Sequence, residues 1–254
     1  MSATEERREE EEARRHDTLL KLLDEVERQI REGRADARLL EAVRRLRPED
    51  AVELVYWLDD KAEEMEEEGE DLGEEFWRAL SKVEEAALPR IAEYVRQVAG
   101  VDVPLRARRG WTDRVIEALR GLPAAESFEE AMRRGMDEFL YALGDRYASG
   151  VVSWERFRGI LRHVPVRLLL YRRNGSPRYL DFVVAAASVP GSYLSVRVSG
   201  DDKREDIDID GILLPIQGGA DDAVWNLLQE AESLPDDLMF VEVKGKQYIW
   251  LWWD

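Results

Sequence analysis

Residues 204–212 read REDIDIDGI, with three aspartates on alternate positions of a run whose intervening members are isoleucines. An extended chain sends successive side chains to opposite faces, so Asp206, Asp208 and Asp210 share one face and Ile207 and Ile209 the other. The spacing predicts a half-buried strand with its acids in water, and Gly211 breaks the alternation before Ile212. This period of two decides the fold class, because almost everything ahead of residue 165 repeats with the period of a helix.

Outward from that strand, the chain from Pro165 reads as a small sheet. Segments 166–171 and 179–185 flank RRNGSP, whose Asn174-Gly175 pair is a hairpin signal. Residues 193–199 form the next strand, 206–214 the strand already described, and 238–243 with 247–253 a closing hairpin turned at Lys244-Gly245-Lys246. A helix at 221–233 interrupts them, with Val224, Trp225, Leu227 and Leu228 as its apolar side. The expectation is roughly six mostly antiparallel strands and one helix.

The first 164 residues predict about seven helices. Leu19, Leu22, Leu23, Val26 and Ile30 line one face of a helix that Gly33 ends. Leu39, Leu40, Val43 and Leu46 line a second, and Pro48 starts a third through AVELVYWL, which is apolar on more than one side. Phe76, Leu80, Val83, Ala87, Ile91, Tyr94 and Val98 keep helical phase across Pro89, predicting one long helix kinked there. Ser127 and Glu130 form a capping box for a helix carrying Phe128, Met132, Met136, Phe139 and Leu143. A last helix follows Ser153. Residues 1–16 read as a solvated helical extension with Glu10–Arg14 and Glu11–Arg15 pairs. The protein is therefore expected to be α+β, with a helical domain over 1–164 and a β-rich domain over 165–254.

A chain of 254 residues with 44% hydrophobic side chains and eight Trp has ample material for a core and is not disordered. It has no cysteine and two histidines, His16 and His163, which exclude disulfides, thiolate chemistry and sulfur-ligated zinc. There is no long apolar run and no signal-like start, so a soluble, cytoplasmic protein without a membrane partner is expected. The formal net charge of −18 is uneven: residues 101–180 carry 15 basic against 10 acidic side chains, whereas residues 1–100 carry 17 against 30. Residues 101–180 are thus where a polyanion would make contact.

Three groups of residues raise chemical questions. Glu242 and Lys244 stand on one face of a strand, and Asp208 or Asp210 on a neighbouring strand would complete a magnesium site with Lys244 polarising the attacking water. This arrangement resembles the PD-(D/E)-x-K nuclease core, from which it departs in having a helix between its two acidic strands. The resemblance implies magnesium as cofactor and phosphodiester cleavage; the alternative is a solvated strand edge with no cofactor. The stretch GDRYASGVVSWERF, 144–157, has oxygen side chains at several calcium-loop positions but Arg156 at the one needing a bidentate carboxylate, so it reads as a helix–turn–helix capped by Ser153.

The second group is basic. Arg106, Arg108 and Arg109 beside Trp111, with Arg162, Arg172 and Arg173, suit phosphate binding and stacking, unless they pair with the acidic first third. The third is YIWLWWD, 248–254, apolar on both faces; Trp250 and Trp252 either lie in the core or meet a partner. No P-loop, dinucleotide fingerprint, HExxH or GxSxG occurs. The expected role is a non-catalytic binding or assembly protein with a protein partner. A magnesium nuclease and an acidic mimic of nucleic acid are the alternatives.

Overall fold

The computed structural model describes residues 3–200, 205–216 and 219–254, with side chains from Ala13 onward. The chain forms two compact units, residues 1–94 and 95–254. The first holds α1 (Ala3–Arg31), α2 (Ala37–Arg44), α3 (Pro48–Glu67) and most of α4 (Glu74–Ala99). Its core is the set of stripes the periodicity picks out. Leu19, Leu23, Val26 and Ile30 of α1 and Leu54, Val55 and Leu58 of α3 are all buried, and the two helices are in contact.

α1 ends because Gly33 takes φ 69°, with its N–H donating to the Ile30 carbonyl and that of Arg34 to the Gln29 carbonyl. Arg15, assigned to the solvated extension, instead donates through Nε to the buried Asp50 carboxylate at 3.0 Å. The Glu10–Arg14 and Glu11–Arg15 pairs lie outside the described side chains. Pro89 lies inside α4, which is helical from Glu74 to Ala99.

The second unit contains α5 (Trp111–Leu119), α6 (Phe128–Arg133), β1 (Phe139–Leu143), β2 (Tyr147–Ser153), α7 (Trp154–Leu161), a 3₁₀ segment (Val166–Leu170), α8 (Tyr179–Ser188), β3 (Tyr193–Gly200), β4 (Glu205–Pro215), α9 (Ala220–Glu230), β5 (Asp237–Val243) and β6 (Lys246–Trp252). The six strands form one sheet in the order β1-β2-β3-β4-β6-β5, each neighbour antiparallel. The fold is α+β, with helices concentrated in the N-terminal part and a six-stranded antiparallel sheet after them.

Two of the six strands are not those the sequence suggests. Asn174 and Gly175 do make a turn, with φ 48° and 74° and a Ser176 N–H to Arg173 carbonyl bond of 2.8 Å. It joins the 3₁₀ segment to α8, not two strands. The flanking runs VRLLLY and YLDFVVAAAS are apolar without clear period, and such a run suits a buried helix as well as a buried strand. The Asp181 carboxylate accepts from the Arg178 N–H at 2.9 Å, the N-terminal bond that starts α8.

The missing strands come from 139–153, expected as helix and helix–turn–helix. α6 stops at Arg133 because Gly135 adopts φ 68°, its N–H bonding the Met132 carbonyl and that of Met136 the Ala131 carbonyl. Phe139 is then free to begin β1. Ser153 caps α7 as expected, accepting from the Arg156 N–H at 3.3 Å. The sheet therefore begins ahead of residue 165, and the compact division falls after Tyr94.

One face of the sheet carries Leu194, Val196, Val198, Ile207 and Ile209, all fully buried or nearly so, and α5, α7 and α8 lie against these strands. On the other face Phe139, Val151, Leu213, Tyr248 and Trp250 form a core cluster with Phe128 and Ala131 of α6. α6 is six residues long, too short to cover that face.

Candidate ligand-binding cleft

What α6 leaves uncovered is a cleft of about 340 Å³ over the sheet, and two irregularities of the strands shape it. β3 pairs Val196 with Ile209 and Ser195 with Gly211, so Asp210 is an extra residue on β4. β1 pairs Leu140 with Gly150 and Ala142 with Ser149, leaving Tyr141 extra in the same way. A bulge re-aims the side chain it carries. Asp210 and Tyr141 both line the cleft, together with Tyr147, Arg197, Trp250 and Trp252.

Asp210 is the unusual member. Its side chain is only 9% exposed, and Oδ2 accepts from Arg197 Nη2 at 3.2 Å. Oδ1 is buried with no hydrogen-bond partner among the described residues. Burial pushes this carboxyl above the usual carboxylate range, and the Ser195 hydroxyl and Arg197 guanidinium oppose the shift without cancelling it. Burial, then the charges of Asp210 and Glu129, push the Tyr141 phenol up, so it is a neutral hydroxyl at any physiological pH. Burial alone would lower Arg197, but the charge and hydrogen bond of Asp210 outweigh it and hold the guanidinium protonated.

The aromatic wall rests on Gly211. A Cβ there would lie 3.0 Å from atoms of both the Trp250 and Trp252 rings and 2.9 Å from the Leu251 carbonyl. Trp250 is buried and stacks on Phe128 with centroids 4.5 Å apart, which fixes the floor, whereas Trp252 stays partly exposed at the opening. Both faces of YIWLWWD are thus used. Leu251 and Trp253 are buried on the side of α8, where Trp253 meets Phe182 edge-on at 5.6 Å.

The residues of the magnesium arrangement are not brought together. Asp208 does not face bulk water: its carboxylate accepts from Arg173 at 3.0 Å and from the Tyr179 hydroxyl at 2.8 Å. Glu242 lies opposite Gln247, five residues along β5 from Asp237, which faces Trp252. At about 3.3 Å per residue that is some 16 Å from the strand end nearest Asp210. Lys244 binds Asp137 at 2.7 Å. No group of three carboxylate or histidine side chains able to hold a metal occurs among the described residues. Two of the acids of β4 expected in water, Asp208 and Asp210, are instead bonded to arginine or tyrosine.

The basic residues separate into two sets. Arg172 pairs with Glu232, Arg173 with Asp208 and Arg156 with Glu138, so these arginines find their acids within residues 95–254. Arg106, Arg108, Arg109 and Arg162 are exposed, with no ion pair to a described carboxylate. Burial and then the charges of Arg114, Arg162 and Arg108 hold His163 below its ordinary value. Trp111 is 2% exposed and belongs to the core, not to that surface.

Sequence reading passes over Tyr141, Tyr147 and Arg197, and it takes Asp210 for a solvated acid. The one available signal is Gly211, whose break in the alternation marks the bulge. No described helix is long and apolar enough to cross a membrane. Comparison with known proteins finds no matching family model, no matching curated protein and no matching solved structure.

Proposed function

We propose that the protein is a non-catalytic binding protein and that its ligand occupies the cleft between Trp252, Tyr141 and Asp210. The observation that carries this reading is the Asp210 carboxylate, desolvated beside an open aromatic wall with one oxygen unpartnered. Leaving such an oxygen unsatisfied costs on the order of 1–3 kcal/mol. It has almost no accessible surface, so a ligand offsets that cost by placing positive charge in the cleft beside the carboxylate and not by donating a hydrogen bond. Sites that take small ligands are concave and largely apolar, with a few converging polar groups. The cleft is concave and has an aromatic wall, and it is more polar than that, with four carboxylates, Arg197 and three serines in its lining.

The test is a thermal-shift panel of small amines, acids, alcohols and heterocycles on the full chain and on Trp252→Ala. Compounds that bind are expected to raise the melting temperature of the parent and to lose at least most of that shift in the variant. Equal shifts in both proteins, or none across the panel at millimolar concentration, would remove the cleft from consideration.

A further inference from the structure

We infer that the group bound in the cleft is an alkylated ammonium cation, of the kind found in choline or in a methylated lysine side chain. The inference rests on the cleft being the binding site and names the chemistry it selects. Four carboxylates line it, Glu126, Glu129, Asp210 and Asp237, against the single cation Arg197. Arg197 is already engaged: it is hydrogen-bonded to Asp210 at 3.2 Å and stands opposite Asp208 in the strand register. The field inside the opening is therefore negative, so a positive charge is drawn in and an anion is repelled.

The walls decide between kinds of cation. Trp252, Tyr141 and Tyr147 offer ring surface and Met239 a polarizable thioether. A cation within about 6 Å of an aromatic face is attracted by the ring quadrupole. A primary ammonium brings three N–H donors that each need an acceptor; the unpartnered Asp210 Oδ1 has almost no accessible surface, which leaves mainly the neutral hydroxyls of Ser149, Ser195, Tyr141 and Tyr147 inside the opening. Methyl groups on nitrogen remove that demand and spread the charge over apolar surface that packs against indole and phenol. The acids at the rim, Glu126, Glu129 and Asp237, are exposed and add attraction at longer range.

Isothermal titration calorimetry on the full chain at constant ionic strength tests this with choline and with its uncharged carbon isostere, 3,3-dimethylbutan-1-ol. Choline is expected to bind at least tenfold more tightly. Asp237→Asn and Glu129→Gln, both at exposed positions where folding is not at stake, are each expected to weaken choline severalfold and leave the isostere unchanged. A peptide bearing trimethyl-lysine separates the sources: tenfold tighter binding than choline assigns a protein tail, and equal or weaker binding a free small molecule. If the isostere binds as well as choline, the cleft remains a site and the cation assignment is wrong. That assignment is equally wrong if neither compound binds while other members of the thermal-shift panel do. If no shift in the thermal-shift panel depends on Trp252, both readings fall together.

Discussion

Asp210 shows how one extra residue in a strand changes the chemistry of a surface. Asp210 stands at the bulge, on the cleft side with Arg197, where burial outweighs the guanidinium and raises its proton affinity. A group whose folded-state pKa is raised binds protons more tightly folded than unfolded. Its ionised form therefore costs stability at neutral pH, and that cost disappears as the pH falls through the raised value. Asp210→Asn cannot titrate, so the stability of the parent relative to this variant is expected to increase as pH is lowered from neutrality toward the ordinary carboxylate range. Urea unfolding of both proteins across that range measures it, and a difference that shrinks on acidification would contradict the assignment. Alternation makes Asp208 and Asp210 legible as strand residues. It cannot reveal their partners, because Arg173, Tyr179 and Arg197 are distant in sequence and converge only through the fold.

At the scale of elements, glycine in the left-handed region accounts for part of the difference between expectation and structure. Gly33 and Gly135 make the same pair of closing bonds, yet the first is readable as a helix stop and the second is not. Met132, Met136, Phe139 and Leu143 keep helical spacing straight across Gly135, and that period masks the stop. Gly135→Ala is expected to destabilise the protein by about 1–2 kcal/mol, since a side chain there must adopt the left-handed conformation or break the motif. Chemical denaturation measures this, and a neutral or stabilising result would mean that α6 and β1 are not divided in this way. The Asn174-Gly175 turn makes the converse point: its turn chemistry is legible, but what it joins depends on burial that a short apolar run does not encode.

Over the whole molecule, charge and fold follow the same division. Residues 1–94 hold 30 acidic and 16 basic side chains, whereas residues 95–254 hold 25 and 21. The four-helix part carries most of the excess, and self-repulsion of that kind weakens a compact state until salt screens it. Raising sodium chloride from about 10 mM to about 150 mM shortens the screening length from roughly 30 to 8 Å and is expected to raise the melting temperature. A fall would mean that attractive ion pairs such as Arg31–Glu70 and Arg28–Glu32 outweigh the repulsion. The class of the fold and the helical stripes are visible in the sequence. The cleft is not, because it is assembled from all six strands together with the start of α6 and the residues that lead into it.

The most direct measurement is a titration of the full chain with choline, following the indole N–H resonances by two-dimensional nuclear magnetic resonance. The resonance of Trp252, assigned through Trp252→Phe, should move and saturate while those of Trp57 and Trp77 in residues 1–94 stay in place. A stationary Trp252, with or without movement elsewhere, would contradict the claim that the aromatic and acidic groups around Asp210 form the binding site.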